Sequence, residues 1–280
     1  MNALQILEGR IIKTSQLIIG IKGAGEMASA IAWRLFMSNM QKIFMMETRY
    51  PLAVRREVSF CETIYNESKE IEGVGAVKSN SVEEIKRSWD NGKIAVIIDP
   101  EWKTKEKIQP DVMVDAILAK KNLGTNIKEA PLVIGLGPGF DAGRDVHMVI
   151  ETNRGHNLGR IITSGCAEPN TGIPGNIGGY TAERVLRAPI DGVFQAIMAI
   201  GDLVKKGAVI GAVEGFEIHS KIDGVIRGLI RSNIRVKQGL KLGDIDPRGN
   251  PNYCYTISDK ARAIGGSVLE AVLRQFKHED

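Results

Sequence analysis

The chain is short of the residues that build several protein classes. Its 280 residues include three cysteines, Cys61, Cys166 and Cys254, far apart and with no CxxC pair. Neither a disulfide framework nor a zinc ribbon is therefore expected. Aromatics make up 5% and prolines number 10, which with no Gly-X-Y period excludes a fibrous or proline-rich chain. No unbroken apolar run is long enough for a membrane span, since residues 17–37 are interrupted by Lys22, Glu26 and Arg34. No basic, apolar leader opens the sequence, so the cytoplasm is the expected location. A net charge of +4 is mild; neither nucleic acid nor a membrane is an expected partner, and a small anion is allowed.

Glycine is the residue in surplus, at 31 of 280. Eleven fall between Gly135 and Gly179 and ten between Gly192 and Gly249. Surplus glycine marks tight turns or places where backbone approaches a ligand.

Residues 17–22 (LIIGIK) form an apolar, β-branched run followed by Gly23-Ala24-Gly25-Glu26-Met27-Ala28, a GxGxxA variant. A helix to about Ser38 and a second strand, Lys42 to Glu47, follow. This is the order of a dinucleotide fold: Gly23 for the turn, Gly25 for phosphate approach, Ala28 for helix packing and Glu47 for a ribose. Arg49 next to it suits a 2′-phosphate. With further apolar runs at 93–99, 111–116 and 131–136, the fold class expected is α/β, a Rossmann-like doubly wound parallel sheet.

The loop after residue 134 holds Gly135, Gly137, Gly139 and Arg144, without the GK[ST] of a Walker motif. Its amides suit an anion nest, and Arg144, Arg154 and His156 are the candidate charged groups. His147 lies in an apolar run, where a hydrogen-bonded core imidazole is expected over a metal ligand. No metal site and no catalytic residue is assigned.

At an offset of 32 residues the chain repeats itself. Ile190 to Val193 match Ile222 to Val225, Val204, Lys205 and Gly207 match Val236, Lys237 and Gly239, and Gly211 matches Gly243. Two copies of one short β unit imply a pseudo-symmetric module. The stretch resembles a biotinyl/lipoyl domain, a barrel-sandwich of two quasi-equivalent halves. Glu217 stands where the modified lysine of that family would be, so no covalent biotin or lipoate is expected. A C-terminal helix begins after Ser258, with Gly265-Gly266 inside it. The expected organisation is 1–134 as a nucleotide-binding domain, 135–186 as a glycine-rich segment completing it, 187–250 as the β module and 251–280 as the C-terminal helix.

The strings IKGAGEMASAIA, ETNRGHNLGRI, NTGIPG and ERVLRAPIDG resemble the YqeB-type accessory proteins of selenium-dependent molybdenum hydroxylase systems, with an XdhC-like Rossmann domain. That resemblance implies a maturation factor binding an anionic, nucleotide-like ligand, the molybdenum cofactor or its molybdopterin dinucleotide form, and a molybdenum hydroxylase as partner. The alternative is an NAD(P)-dependent oxidoreductase.

Overall fold

The computed structural model describes residues 13–276; the first twelve residues of the expected nucleotide domain and the last four of the expected helical segment lie outside them. The chain divides into two compact units. One comprises Phe60–Asn170 with the chain before Leu52 and from Ile257 onward; the other comprises Leu52–Ser59 and Thr171–Thr256.

The first unit runs β1 (Ile18–Lys22), α1 (Glu26–Met37), β2 (Lys42–Glu47), α2 (Thr63–Asn66), β3 (Ser68–Ile71), β4 (Val74–Ser79), α3 (Val82–Asp90), β5 (Ile94–Ile98), α4 (Thr104–Ile108), β6 (Val112–Asp115) and β7 (Leu132–Leu136). It continues through β8 (Asp141–Ala142), β9 (Met148–Ile150), β10 (Ile161–Ile162) and β11 (Gly165–Cys166). Nine of these strands form one sheet in the order β10-β9-β7-β6-β1-β2-β5-β4-β3. The seven from β9 to β4 are parallel, and β10 and β3 pair antiparallel at the two edges.

The expected doubly wound Rossmann sheet is therefore corrected to a mixed sheet. The β3–β4 hairpin turns through Glu72 and Gly73, both left-handed with φ of 44° and 80°, as a two-residue hairpin requires. On the other side, β6 to β7 is joined by residues 116–131, which contain no helix or strand. A doubly wound fold would place a helix there.

Phe44, Met46, Met113, Val133 and Val149 of this sheet pack with Ile85 of α3 and with Phe140 and Val146. The C-terminal helix, the last element of the chain (Asp259–Gln275), belongs to this unit, with the Ser258 hydroxyl accepting the Ala261 N–H at 3.2 Å. It lies along α1. A Cβ on Gly265 would stand 3.1 Å from the Ala30 carbonyl oxygen, so this glycine lets the two backbones approach at the expense of helix propensity.

The second unit contains β12 (Val185–Arg187), β13 (Gly192–Ala196), β14 (Leu203–Val204), β15 (Val209–Val213), β16 (Phe216–His219), β17 (Gly224–Leu229), β18 (Ile234–Val236) and β19 (Lys241–Asp246). The helix of Asp259–Gln275 is accordingly α5. Two antiparallel four-stranded sheets result, β12-β19-β17-β14 and β16-β15-β13-β18. The offset of 32 carries β13, β14 and β15 onto β17, β18 and β19. It also carries the pairing: β13 bonds to β15 and β18, while β17 bonds to β19 and β14. Each copy thus lends its short second strand to the other copy's sheet.

Phe194, Ile210 and Val213 from one sheet and Ile226, Leu242 and Ile245 from the other form the buried core. The biotinyl/lipoyl expectation is corrected here too. β12 and β16 extend the sheets beyond the repeat, and Leu52–Ser59 is recruited from far upstream, with Val54 against Gly228 at 2.8 Å from an added Cβ.

Candidate functional site

Most of the parallel strands of the first unit end, or are followed at once, by an ionisable residue: Lys22 after the apolar run of β1, Glu47 in β2, Asp99 after β5, Asp115 in β6 and Glu151 after β9. A short carboxylate at the carboxyl end of a strand can accept from the backbone N–H groups of the turning chain, so each acid is a ready loop anchor. Glu47 accepts the Ala24 N–H at 2.8 Å and the Thr48 N–H at 2.7 Å. Asp99 accepts the Thr104 N–H at 2.6 Å. Glu151, itself buried, accepts the N–H groups of Asn153 and Glu168, both at 2.7 Å.

Between these acids lies one cation. Lys22 is fully buried, in register with Asp115 on the neighbouring strand. The chain leaves β1 toward β2 on one side and returns to β6 on the other, so this pair sits at the sheet's switch point, where α/β sheets form ligand crevices. The Lys22 ammonium donates to Thr125 Oγ1 at 2.6 Å and pairs with Glu129 at 2.7 Å, and the Trp102 ring centre lies 4.1 Å away. Thr125 in turn donates to Asp115 at 2.6 Å, and Lys105 pairs with the other side of Glu129. Burial pushes the Lys22 ammonium below and the Asp115 carboxyl above their ordinary ranges.

The residues expected from sequence meet different fates. Gly23 adopts φ 87° beside the Ala116 backbone, and Gly25 is the N-cap of α1 without a side-chain bond. Ala28 is fully buried. The Glu47 carboxylate grips the Gly23–Gly25 turn itself, accepting a backbone donor that a pyrophosphate would otherwise take.

Packing accounts for the next three glycines. Added Cβ atoms would stand 2.6 Å from the Phe140 ring at Gly135, 2.4 Å from Thr152 Oγ1 at Gly137, and 2.6 Å from the Lys121 backbone at Gly139. Arg144 is exposed and paired with Asp141 and Asp145. His147 Nδ1 accepts the Val133 N–H at 2.9 Å, and burial lowers its pKa.

Arg154 and His156 belong to a loop held by acids. Arg154 makes two bonds to Asp259, at 2.7 and 3.1 Å. Glu168 accepts from Asn153 Nδ2 at 2.6 Å and Asn157 Nδ2 at 3.1 Å, which holds its carboxyl below the usual range. His156, Asn157, Leu158, Gly159 and Arg160 line an open groove of about 440 Å³. Gly159 lies against α5, 2.7 Å from Ser267 Oγ for an added Cβ.

Beside the loop, in the first turn of α5, Lys260 has no hydrogen-bond or ion-pair partner among the described residues. Burial first, and then Arg154, lowers its pKa, while Glu26, Glu151 and Asp259 act against that. Lys22, Thr125, Glu129, Lys105 and Lys260 were not singled out from sequence as site residues. The one local signal was a lysine ending a buried strand next to a glycine turn.

Among the described residues no group of three or more His, Cys, Asp or Glu side chains is placed to hold a metal ion, and no helix is long and apolar enough to cross a membrane.

Comparison with known proteins adds little chemistry. No family model matches the chain. A curated relative, "Uncharacterized protein YqeB" of Escherichia coli strain K12, is 46% identical over 258 residues, which is 92% of this chain and 47% of the relative. The chain spans about half the length of that relative. Solved structures reach only low likeness. An aspartoacylase family protein from Mesorhizobium loti covers 81% of this chain and 84% of its own at 12% identity and a TM-score of 0.27. TcdA (CsdL) covers 96% and 90% at 12% identity and a TM-score of 0.30. An ectoine utilization protein, EutE, from Ruegeria pomeroyi covers 81% and 56% at 10% identity and a TM-score of 0.22. Scores this low carry no argument about mechanism.

These findings correct the reading drawn from the family resemblance. The relative's name states no role, and none of the structures named here is described as an XdhC-type or biotinyl/lipoyl protein. The selenium-dependent molybdenum hydroxylase accessory role and its molybdenum-cofactor vocabulary do not stand. The relative's name lends the NAD(P)-dependent oxidoreductase alternative no support either.

Proposed function

We propose that the sheet unit binds a small anionic molecule at the loop 151–168, with Lys260, His156 and Arg160 as the groups that meet its charge. The observation that carries this reading is Lys260, a cation largely removed from water that makes no hydrogen bond or ion pair among the described residues, with Glu26, Glu151 and Asp259 acting on it at longer range. A half-buried ammonium in that state is stabilised by an arriving carboxylate or phosphate, which supplies the direct charged hydrogen bond that those carboxylates do not make. Arg154, already bonded to Asp259, positions the loop and reinforces the positive potential. The groove of about 440 Å³ suits a small ligand and leaves the anion open to solvent on one side. Of the residues named from sequence, Arg154 and His156 belong to this site; Gly135, Gly137, Gly139 and Arg144 serve packing and local pairing.

Titration calorimetry with inorganic phosphate, pyrophosphate and citrate tests the reading. Saturable binding of at least one is expected, weakened tenfold or more by Lys260→Ala and unchanged by Arg144→Ala. Absence of saturable binding at millimolar concentration, or equal binding by Lys260→Ala, overturns it.

A further inference from the structure

The Lys22 cluster is not used by the anion site. Its geometry is more elaborate than pinning a loop requires. A pin needs the Lys22–Glu129 pair alone, yet the ammonium also donates to Thr125, whose hydroxyl passes its own hydrogen to Asp115, each link 2.6 Å long. The three groups thus form a continuous chain from nitrogen to carboxylate. Its roof is unusual as well. Trp102, Leu118 and Lys120 all adopt left-handed backbone, with φ of 58°, 59° and 63°. Residues with a Cβ disfavour that region, and such positions gather where function over-determines the chain. The roof includes residues 116–131, sixteen residues without helix or strand at the carboxyl edge of the sheet, a length that connecting loops seldom reach without a task.

We propose that Lys22 is a reactive amine that forms an imine with a small aldehyde or 2-oxo acid, admitted when residues 116–121 lift from the sheet edge while Thr125 and Glu129 stay against Lys22. Transfer of one proton from the ammonium through the Thr125 hydroxyl to Asp115 leaves a neutral amine and a neutral carboxylic acid. Burial favours both, since it disfavours each charged form. The nitrogen lone pair then forms the N–C bond to the carbonyl carbon, and the C=O π pair moves to oxygen. As the C=N bond forms, the oxygen departs as water with the two amine protons, Asp115 supplying and regaining one along the same chain. Nothing is oxidised or reduced, and no further reactant is required. Lys105, the other cation on Glu129, keeps that carboxylate paired while Lys22 is neutral. Trp102 offers an apolar face to the imine carbon.

The test is trapping. Native protein is incubated at pH 7 with glyoxylate and cyanoborohydride, then analysed by intact mass and peptide mapping. Preferential reduction of an adduct onto Lys22, ahead of the exposed Lys205 and Lys237, is expected, because those two ammonium groups are held in ion pairs with Asp223 and Asp191. Thr125→Val, which keeps the side chain's shape and removes the relay hydroxyl, is expected to slow Lys22 modification tenfold or more, with recovery as pH is raised. Modification of surface lysines with Lys22 untouched overturns the proposal. So does an unchanged Lys22 rate in Thr125→Val.

Discussion

In the β unit, Asp191 accepts the Lys237 ammonium at 2.7 Å and the Gln238 N–H at 2.8 Å. Thirty-two residues on, Asp223 accepts the Lys205 ammonium at 2.9 Å and the Lys206 N–H at 2.8 Å. One latch is made twice, on the surface, with each copy clasping the other. In the sheet unit, by contrast, Glu47, Asp99, Asp115 and Glu151 occupy equivalent places at strand ends, and each holds a different loop. The duplicated contacts tie the two copies to each other. Single-use contacts collect charge at one edge, and that edge is where a buried Lys22 is found, and Lys260, which has no hydrogen-bond or ion-pair partner among the described residues.

The sharpest way to break this contrast is to remove one partner of the buried network. Glu129→Ala leaves Lys22 buried beside an empty space, and an uncompensated buried charge costs about 3–5 kcal/mol. Urea denaturation should show that loss, and a change under about 1 kcal/mol would place the Lys22 network in the same class as the surface latches.

A second test breaks the symmetry inside the β unit. Gly192 and Gly224 are equivalent in the repeat, but an added Cβ meets the flexible Glu214 side chain at 2.3 Å in the first and the Asp246 carbonyl oxygen at 2.4 Å in the second. A side chain can swing away; backbone in a sheet cannot. Gly224→Ala should cost about 1–3 kcal/mol in thermal unfolding, as overpacking does, and Gly192→Ala less than half of that.

The third concerns acid. His147 accepts a backbone N–H on Nδ1, and burial depresses its pKa, so protonation must break that bond. With the folded pKa below the unfolded value of about 6.5, this contribution is complete above that pH and is lost as pH falls through the folded value. Denaturation midpoints measured from pH 7.5 downward should decline in the wild type and decline less in His147→Gln. The smallest effect belongs to the latches. Asp191→Asn and Asp223→Asn should each lower the melting temperature slightly, by equal amounts that add in the double variant.

How much of this was legible beforehand follows the same division. β1, the glycine turn, α1 and β2 are written in local pattern, an apolar run, a turn and a helical stripe. The repeat was legible because identical residues do identical work at a fixed spacing. Ser258 and the stripe after it announced α5. The sheet's antiparallel edges were not legible, because strand direction at β3 rests on a two-residue turn, Glu72-Gly73, inside an otherwise ordinary polar stretch. Nor was the recruitment of Leu52–Ser59, which depends on Val54 meeting Gly228 across more than 170 residues of chain.

The site itself was partly misread for a physical reason. At Gly135, Gly137 and Gly139 an added Cβ would run into Phe140, Thr152 and the Lys121 backbone, so packing alone requires these glycines. Glu47 has the position of a ribose acceptor, but its carboxylate turns back on the chain that precedes it. Lys22 read as an interruption of an apolar run. Only its partners, more than 100 residues downstream, give it meaning.

The contrast between the two units has one direct measurement. Amide chemical shifts of the wild-type protein can be followed during a titration with inorganic phosphate, beside a parallel titration of Lys260→Ala. Saturable shifts are expected at residues 151–160 and 258–262, abolished in the variant, with residues 185–246 unmoved. Saturable shifts centred in the β unit, or none in the sheet unit, would contradict that expectation.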